Sequence, residues 1–301
     1  MLCYRTAVQK KKAKADRRQI YLHVILVLGA ILTLFPLALT FINSFKSIKD
    51  YKAGMWFPSI PFRLYNYGEA WTKILPYMGN TLLVVLIGCG GMLVISSLAS
   101  YAIGKIRFAG STVCFYLVLG LMMLPGVLTL VPSSMIYKSL HLNNTIWALI
   151  FPTWSNGSLM SVFLFTTFFR GLPKELFEAA KIDGAGEFKQ YYKIALPLSA
   201  PMIGTCAIAQ IVSIWNDYLW PKTIQSDVSL YTIPAGILYE YQNYSNAPEQ
   251  FAGYILAQFA YYACIISGQP FSPPLVIYVR IILKLGCACD YSHREKCVTL
   301  K

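Results

Sequence analysis

The sequence predicts an all-α integral membrane protein with six transmembrane helices, both termini in the cytoplasm, and a short cytoplasmic helix between spans four and five. Of its 301 residues 56% are hydrophobic and only 13% are charged, against about 25% charged residues in ordinary soluble domains. Six uncharged stretches can each cross the hydrocarbon core, which takes about 20 helical residues. Lys and Arg are concentrated in alternate connecting segments, as expected when consecutive connections lie on opposite sides of a membrane.

The predicted spans follow one another along nearly the whole chain. They are residues 20–45, 77–103, 108–137, 142–169, 194–216 and 251–279. The first span follows a basic segment, 1–19, and a secretory signal peptide is the competing interpretation. Its apolar run exceeds the usual 7 to 15 residues of a signal peptide and lacks a clear small-x-small cleavage site, so we expect an uncleaved span.

The basic residues predict the orientation of these spans. With the N-terminus inside, 19 of the 26 Lys and Arg residues lie in cytoplasmic segments, the side on which they are retained. An even number of spans then places both termini in the cytoplasm. The same distribution explains the formal charge of +13 without a phosphate-binding face, so no nucleic-acid partner is expected.

Catalytic motifs are missing from the sequence, and an enzyme is therefore not expected. No G-x-x-x-x-G-K-[ST], H-E-x-x-H or G-x-S-x-G occurs, nor any pair of intramembrane carboxylates. Transport driven by protons or sodium normally needs ionisable groups at membrane depth. The six stretches contain essentially no such group apart from His23, near the start of the first, and Asp217, at the end of the fifth, which disfavours a secondary transporter.

The eight cysteines do not predict a metal site or a disulfide framework. Cys89, Cys114, Cys206 and Cys264 lie within apolar spans, where free Cys behaves as a small hydrophobic residue. In the tail, "CACDYSHREKC" places three Cys and one His close together, but the spacing matches none of the usual zinc patterns. We expect no metal and no cofactor bound by this chain.

The segment 175–201, "ELFEAAKIDGAGEFKQYYKIALPLSAP", predicts a short amphipathic helix, a turn and a second short helix from about 187 to 194. Pro173 is expected in the first turn of the helix, where its missing N–H is harmless. Glu175 and Glu178 would then lie near the positive end of the helix dipole, and Gly184 would follow the end of the helix. Two interpretations remain open from the residues alone. The helix lies on the membrane surface, or it docks a protein that approaches closely over Ala179 and Ala180.

The spacing of this segment resembles a known family. Glu178-Ala179-Ala180, three residues, Gly184, nine residues and Ile194-x-Leu196-Pro197 are similar to the EAA signature of permease subunits of bacterial ABC importers at every fixed position. "NSFK" (43–46), "NY..AW" (66–71), "NNTIWALIFP" (143–152), "WNDYLWP" (215–221) and the 80–110 segment resemble the smaller, six-span permease of maltose- and glycerol-phosphate-type importers. The resemblance covers residues 15–267.

This resemblance implies a transport mechanism and a set of partners. In the family the EAA helix seats in a cleft of a cytoplasmic ATPase, so Glu178, Ala179, Ala180 and Gly184, with Asp183 beside them, would form the coupling contact. The implied partners are a second permease, two ATPase subunits that bind ATP and Mg²⁺, an extracytoplasmic sugar-binding protein, membrane lipid and a carbohydrate. The implied location is the bacterial cytoplasmic membrane. The alternative is a non-transporting scaffold or regulatory subunit that docks a cytoplasmic partner.

The residues that contact the sugar are less clearly marked. The candidates are Trp215, Asn216, Asp217, Tyr218 and Trp220, which offer aromatic faces and polar groups suited to carbohydrate. Trp and Tyr also form membrane-interface belts, which is the alternative interpretation. The run "GCGGMLVISSLAS" is interpreted as close helix packing rather than a binding site. The sequence names no particular sugar.

The end of the chain departs from the family pattern. We assign 20–267 to the permease domain and 268–301 to an atypical segment, in which Pro270, Pro273 and Pro274 fall inside the expected last span and disturb helix hydrogen bonding. Our hypothesis is a shifted reading frame or a sequencing error, which resequencing of that end of the gene tests.

Overall fold

A computed structural model describes residues 2–106, 108–242 and 246–268, and every regular element in these ranges is helical. The predicted all-α class is therefore confirmed. The tail cysteines, the three prolines and the end of the sixth predicted span lie outside the described residues.

Within the described ranges, fourteen α-helices follow one another in chain order. They are α1 (Leu2–Ser44), α2 (Ile48–Ala53), α3 (Tyr65–Leu83), α4 (Gly90–Tyr101), α5 (Ser111–Met122), α6 (Gly126–Ser139), α7 (Trp147–Gly171), α8 (Glu175–Ile182), α9 (Glu187–Gln190), α10 (Leu196–Leu198), α11 (Ala200–Asn216), α12 (Leu219–Ile224), α13 (Ile233–Tyr241) and α14 (Ala247–Gly268). Short π-helical turns join α3 to α4 and α9 to α10, so these pairs continue without an intervening loop.

Three helices in the described ranges are long and apolar enough to cross a membrane: Tyr21–Ser44, Tyr65–Ile106 and Trp147–Gly171. Two bent helix pairs, Ser111–Met122 with Gly126–Ser139 and Glu187–Leu198 with Ala200–Asn216, raise the number to five if each pair forms one span. Five of the six predicted apolar stretches thus fall on such helices or pairs. The six-span count itself stays a prediction.

The stretch 108–137, expected to be one helix, is instead two helices bent by 100°. The break lies at Pro125, whose ψ of 128° is extended. Proline disfavours the α conformation of the residue before it and lacks the N–H that a continuing helix needs. The fifth stretch bends by 71° at Ser199, between Pro197 and Pro201.

The chain divides into two compact units, and the first comprises the described residues of Met1–Lys73 and Tyr241–Leu256. Here the Lys46 side chain is only 1% exposed and its Nζ donates to the Gly54 carbonyl at 2.8 Å. Lys73 Nζ lies 2.6 Å from Glu249 Oε1, and Glu249 is buried. A buried ammonium or carboxylate is tolerated only when paired in this way.

The second unit comprises Ile74–Glu240 and the described residues from Ala257 onward. Its centre is the packing of α4 and the preceding turn against α7. A Cβ on Gly88 would lie 3.2 Å from the Thr153 side chain, and one on Gly91 would overlap the Trp154 indole. The glycine-rich run therefore serves close helix packing, as predicted from the sequence.

Gly91 and its neighbour Gly90 give a matched test of this packing. The Trp154 indole is held by a 3.1 Å hydrogen bond from Nε1 to the Ile87 carbonyl. Moving the ring aside to make room for a new methyl group would therefore cost this hydrogen bond. Gly91→Ala is expected to destabilise the protein by about 1–3 kcal/mol through overpacking, measured as a lower thermal midpoint of the purified protein.

Gly90→Ala is the control, because its Cβ would meet nothing within 4 Å and the helix-propensity change is the same at both positions. Equal midpoints for the two variants would contradict the packing interpretation.

Candidate functional site

The cytoplasmic segment predicted from the sequence begins with α8, Glu175–Ile182. Its first backbone hydrogen bonds run from the N–H groups of Phe177 and Glu178 to the carbonyl of Lys174, so Pro173 precedes the helix instead of lying in its first turn. Glu175 and Glu178 lie in the first turn, where the helix dipole favours negative charge.

Gly184 ends this helix in the left-handed conformation, with φ of 73°. Its N–H donates to the Lys181 carbonyl at 3.0 Å, and the Ala185 N–H donates to the Ala180 carbonyl at 2.8 Å. This pair of bonds is the Schellman motif, which satisfies the last free carbonyls of a helix. The turn directs the chain into α9, where Gln190 Nε2 donates to the Ala185 carbonyl at 2.7 Å.

One face of α8 packs against the end of α4 and the turn that follows it. Phe177 is only 8% exposed, and its ring lies 6.5 Å from the Tyr101 ring. Lys105 Nζ lies 4.4 Å from the Phe177 ring centroid and donates to the Leu172 carbonyl at 2.9 Å. A cation over an aromatic face is attractive, which stabilises this contact beyond burial alone.

The second half of the segment is anchored to the same helix. The Tyr191 ring lies 5.3 Å from that of Tyr101, and its hydroxyl shares a 2.8 Å hydrogen bond with Ser97 Oγ. The Tyr101 hydroxyl donates to Glu187 Oε2 at 3.4 Å. Glu187 also pairs with Lys181 at 3.0 Å, but both partners are largely exposed and such pairs contribute little.

The opposite face of the segment is open. Ile182 is 87% and Phe188 is 74% exposed, although both are large and apolar. Glu178, Ala179, Asp183 and Gly184 are also exposed, and Ala180 is half-buried. The predicted coupling residues thus lie together on a surface that carries exposed apolar side chains, as partner-binding surfaces do.

The residues predicted to contact the sugar lie where α11 passes into α12. The Trp215 ring packs 5.5 Å from Tyr261, and Asn216 Nδ2 donates to the Val212 carbonyl at 2.8 Å. Asp217 Oδ1 accepts from the Trp220 N–H at 3.1 Å and so caps α12. Tyr218 is exposed.

A cavity of about 730 Å³ lies within the second unit, bordered mainly by α6, α7, α11 and α12. Of the predicted residues, Asp217 and Trp220 line it, whereas Trp215, Asn216 and Tyr218 do not. Sequence reasoning missed the polar residues of its wall, including Asn156 and Gln210. Their signal was a single amide inside an apolar stretch, which is costly there unless it has a partner or a ligand.

Within the described ranges no three His, Cys, Asp or Glu side chains lie close enough together to hold a metal ion. Neither the α8–α9 segment nor the cavity therefore offers a metal site built from the residues that the structure describes.

Comparison with known proteins gives consistent matches. Residues 91–271 match the family model described as "Binding-protein-dependent transport system inner membrane component". The chain is 32% identical over 216 residues to the probable ABC transporter permease protein YurM of Bacillus subtilis, covering 71% of this chain and 72% of that protein. It is 31% identical over 227 residues to the sn-glycerol-3-phosphate transport system permease protein UgpE of Yersinia enterocolitica, covering 72% and 80%.

Two further matches extend this comparison. The diacetylchitobiose uptake system permease protein NgcG of Streptomyces coelicolor is 27% identical over 228 residues, covering 75% of this chain and 76% of NgcG. Among solved structures, a bacterial ABC transporter involved in the import of the acidic polysaccharide alginate superimposes with a TM-score of 0.70 at 19% identity, covering 88% of this chain and 95% of that one. At this identity the structural match shows the shared fold.

Proposed function

The chain belongs to the family of binding-protein-dependent transport system inner membrane components, and from this membership we propose that it is a permease subunit of an ATP-binding-cassette importer for a sugar or sugar derivative. The family resemblance predicted from the EAA-type spacing is confirmed. Its relatives include permeases of named uptake systems, which favours transport over the alternative of a non-transporting scaffold or regulatory subunit. The family is one of transporters, so the chain is not itself an enzyme.

We propose six spans in the bacterial cytoplasmic membrane, with both termini inside and residues 20–267 as the permease domain. The three long apolar helices and two bent pairs support five of these spans, and α14 supplies the described part of a sixth. The membrane-length part of α1 buries none of its apolar side chains. Lipid or a second permease subunit would cover that surface in the assembled importer.

The observation that carries the coupling proposal is the two-sided environment of α8. Phe177 is buried against Tyr101, while Glu178, Ala179, Asp183 and Gly184 are exposed beside Ile182 and Phe188. In this proposal the exposed face, with Ala180, docks into a cytoplasmic ATPase subunit. Phe177 and Tyr191 both contact Tyr101 at the end of α4. Movement of the ATPase subunit would therefore displace α4 through these two side chains.

The proposed partners follow from a mechanism in which energy comes from outside this chain. Two ATPase subunits would bind ATP and Mg²⁺, a second permease would complete the pathway, and an extracytoplasmic sugar-binding protein would deliver the substrate. No cofactor is assigned to this chain. Coupling would be mechanical, in keeping with the scarcity of ionisable residues in its predicted spans.

Gentle purification of the tagged protein from its native cell, followed by mass spectrometry, tests this assembly. We expect an ATPase, a second permease and a sugar-binding protein to co-purify, and the complex to move sugar into vesicles only when ATP is present. Recovery of the chain without an ATPase, together with vesicles that show no ATP-dependent uptake, would contradict the importer.

A further inference from the structure

Five polar side chains on the wall of the cavity make no side-chain hydrogen bond to any part of the chain that the structure describes. They are Ser133 and Tyr137 of α6, Asn156 of α7, and Gln210 and Ser213 of α11. Each carries a hydroxyl or an amide, which both donates and accepts hydrogen bonds. Because three different helices contribute these groups to one concave surface, the cavity suits a ligand that is itself rich in donors and acceptors.

The position of Gln210 depends on a close approach to α7. A Cβ on Gly157 would lie 2.5 Å from Gln210 Oε1 and 2.9 Å from the amide carbon, so the Gln210 amide lies directly against Gly157 and would have to move if this residue carried a side chain. Neighbouring α7 residues of the wall include Asn156. The chain therefore places two amides, neither with a side-chain hydrogen bond among the described residues, on facing helices, and the Gln210 amide lies where the two helices approach closely.

Two aromatic rings add an apolar surface beside these polar groups. Tyr137 and Trp220 pack edge to face with centroids 5.3 Å apart, and both line the cavity. The Trp220 indole N–H donates to the Ala148 carbonyl at 2.8 Å, which fixes the orientation of the ring. Rigid aromatic rings suit the C–H face of a sugar, while amides and hydroxyls suit its hydroxyl groups.

The charge of the cavity discriminates between classes of sugar. Asp217 is the one charged residue on the wall, and Lys, Arg and His are absent from it as far as the described residues go. Carboxylates and phosphates are normally recognised by Arg or Lys. An acidic ligand would here lie near a carboxylate of the same sign, where repulsion is strengthened by the low dielectric.

We propose that this cavity binds a neutral, polyhydroxylated sugar and disfavours acidic sugars and sugar phosphates. The inference rests on the proposed importer function and narrows its substrate class. It separates this chain from the relative named for sn-glycerol 3-phosphate and from the structure of the alginate importer, whose ligands are anionic.

Uptake by vesicles that contain the whole importer tests the substrate class. Maltose and diacetylchitobiose serve as neutral probes, and glycerol 3-phosphate and an alginate oligosaccharide serve as anionic probes, each with and without ATP. We expect at least one neutral probe to enter about tenfold faster than either anion, or more. Faster uptake of an anion would overturn the inference and leave the importer function standing, whereas ATP-dependent uptake of none of them would overturn both.

Gln210→Met tests whether this cavity contacts the sugar. It keeps the length of the side chain beside Gly157 but removes the donor and acceptor, so uptake of the neutral sugar should fall by roughly tenfold. Ser213→Ala removes a small exposed hydroxyl from the same wall and should lower uptake less. Because this change is small, it tests the cavity even if Gln210→Met fails to fold. Unchanged uptake by both variants would overturn the assignment of the cavity.

Thr205→Val is the matched control on the same helix. Thr205 is exposed, its hydroxyl donates to the Pro201 carbonyl at 3.0 Å, and it does not line the cavity. Uptake by this variant should equal that of the parent protein. ATPase subunits should co-purify equally with all three variants.

Discussion

Replacing Gly184 with Val is expected to lower ATP-dependent sugar uptake about tenfold or more while leaving the protein inserted in the membrane. Gly184 has φ of 73°, a conformation that costs an L-residue roughly 1–2 kcal/mol and a β-branched residue more. No atom lies within 4 Å of the added Cβ, so backbone strain rather than collision causes the effect. Relief of that strain would break the two hydrogen bonds that end α8 and would reorient the proposed docking surface.

Gly186→Val separates this effect from a general loss of flexibility. Gly186 lies two residues further on, has φ of −67°, and is likewise open around its Cβ, so Val fits its backbone. Gly184→Asn should retain more uptake than Gly184→Val, since Asn tolerates the left-handed region. Uptake, membrane insertion and ATPase co-purification are measured for all three, and equal uptake by the two Val variants would refute the role of the turn.

The helix, turn and second helix of the α8–α9 segment were predictable from the sequence because their signals are local. Acidic residues mark the first turn of α8, and Gly184 marks its end, so neither feature depends on distant parts of the chain. The buried side of the helix was harder to predict. Leu176, Phe177 and Ile182 are all large and apolar, yet the structure buries Phe177 and leaves Leu176 and Ile182 exposed. Which apolar side chain faces the protein depends on where Tyr101 and Lys105 lie.

Hydropathy located the spans but not their bends or the cavity. Counting apolar residues over 108–137 does not predict where the helix changes direction. The Leu124-Pro125 pair did indicate the position of the 100° bend, because proline disfavours the helical conformation of the residue before it. The cavity required helices α6, α7 and α11 to be brought together, so Asn156 and Gln210 each looked like an isolated polar residue. Of the predicted sugar-contact residues, Asp217 and Trp220 line the cavity and Trp215 and Tyr218 do not, whereas Tyr137 was not predicted and does.

Charge reversal at Glu178 should weaken the binding of the ATPase far more than the same change at Glu175. Both glutamates lie in the first turn of α8, both are exposed, and neither has an ion pair or side-chain hydrogen bond among the described residues. Each reversal to Lys therefore loses a similar helix-dipole interaction of about 0.3–1 kcal/mol. The two variants differ chiefly in position, because Glu178 adjoins Ala179 and Ala180 on the proposed docking surface.

A charge pair buried on docking typically costs about 2–5 kcal/mol when one partner is changed, which lowers affinity by more than about tenfold. Glu178→Lys should accordingly reduce the ATPase that co-purifies and abolish sugar-stimulated ATP hydrolysis, while Glu175→Lys changes both only slightly. Thermal midpoints of the two purified variants should agree, which excludes misfolding as the cause. If Glu175→Lys instead releases the ATPase and Glu178→Lys does not, the docking surface lies toward the start of α8, and the assignment of the EAA residues to the contact is wrong.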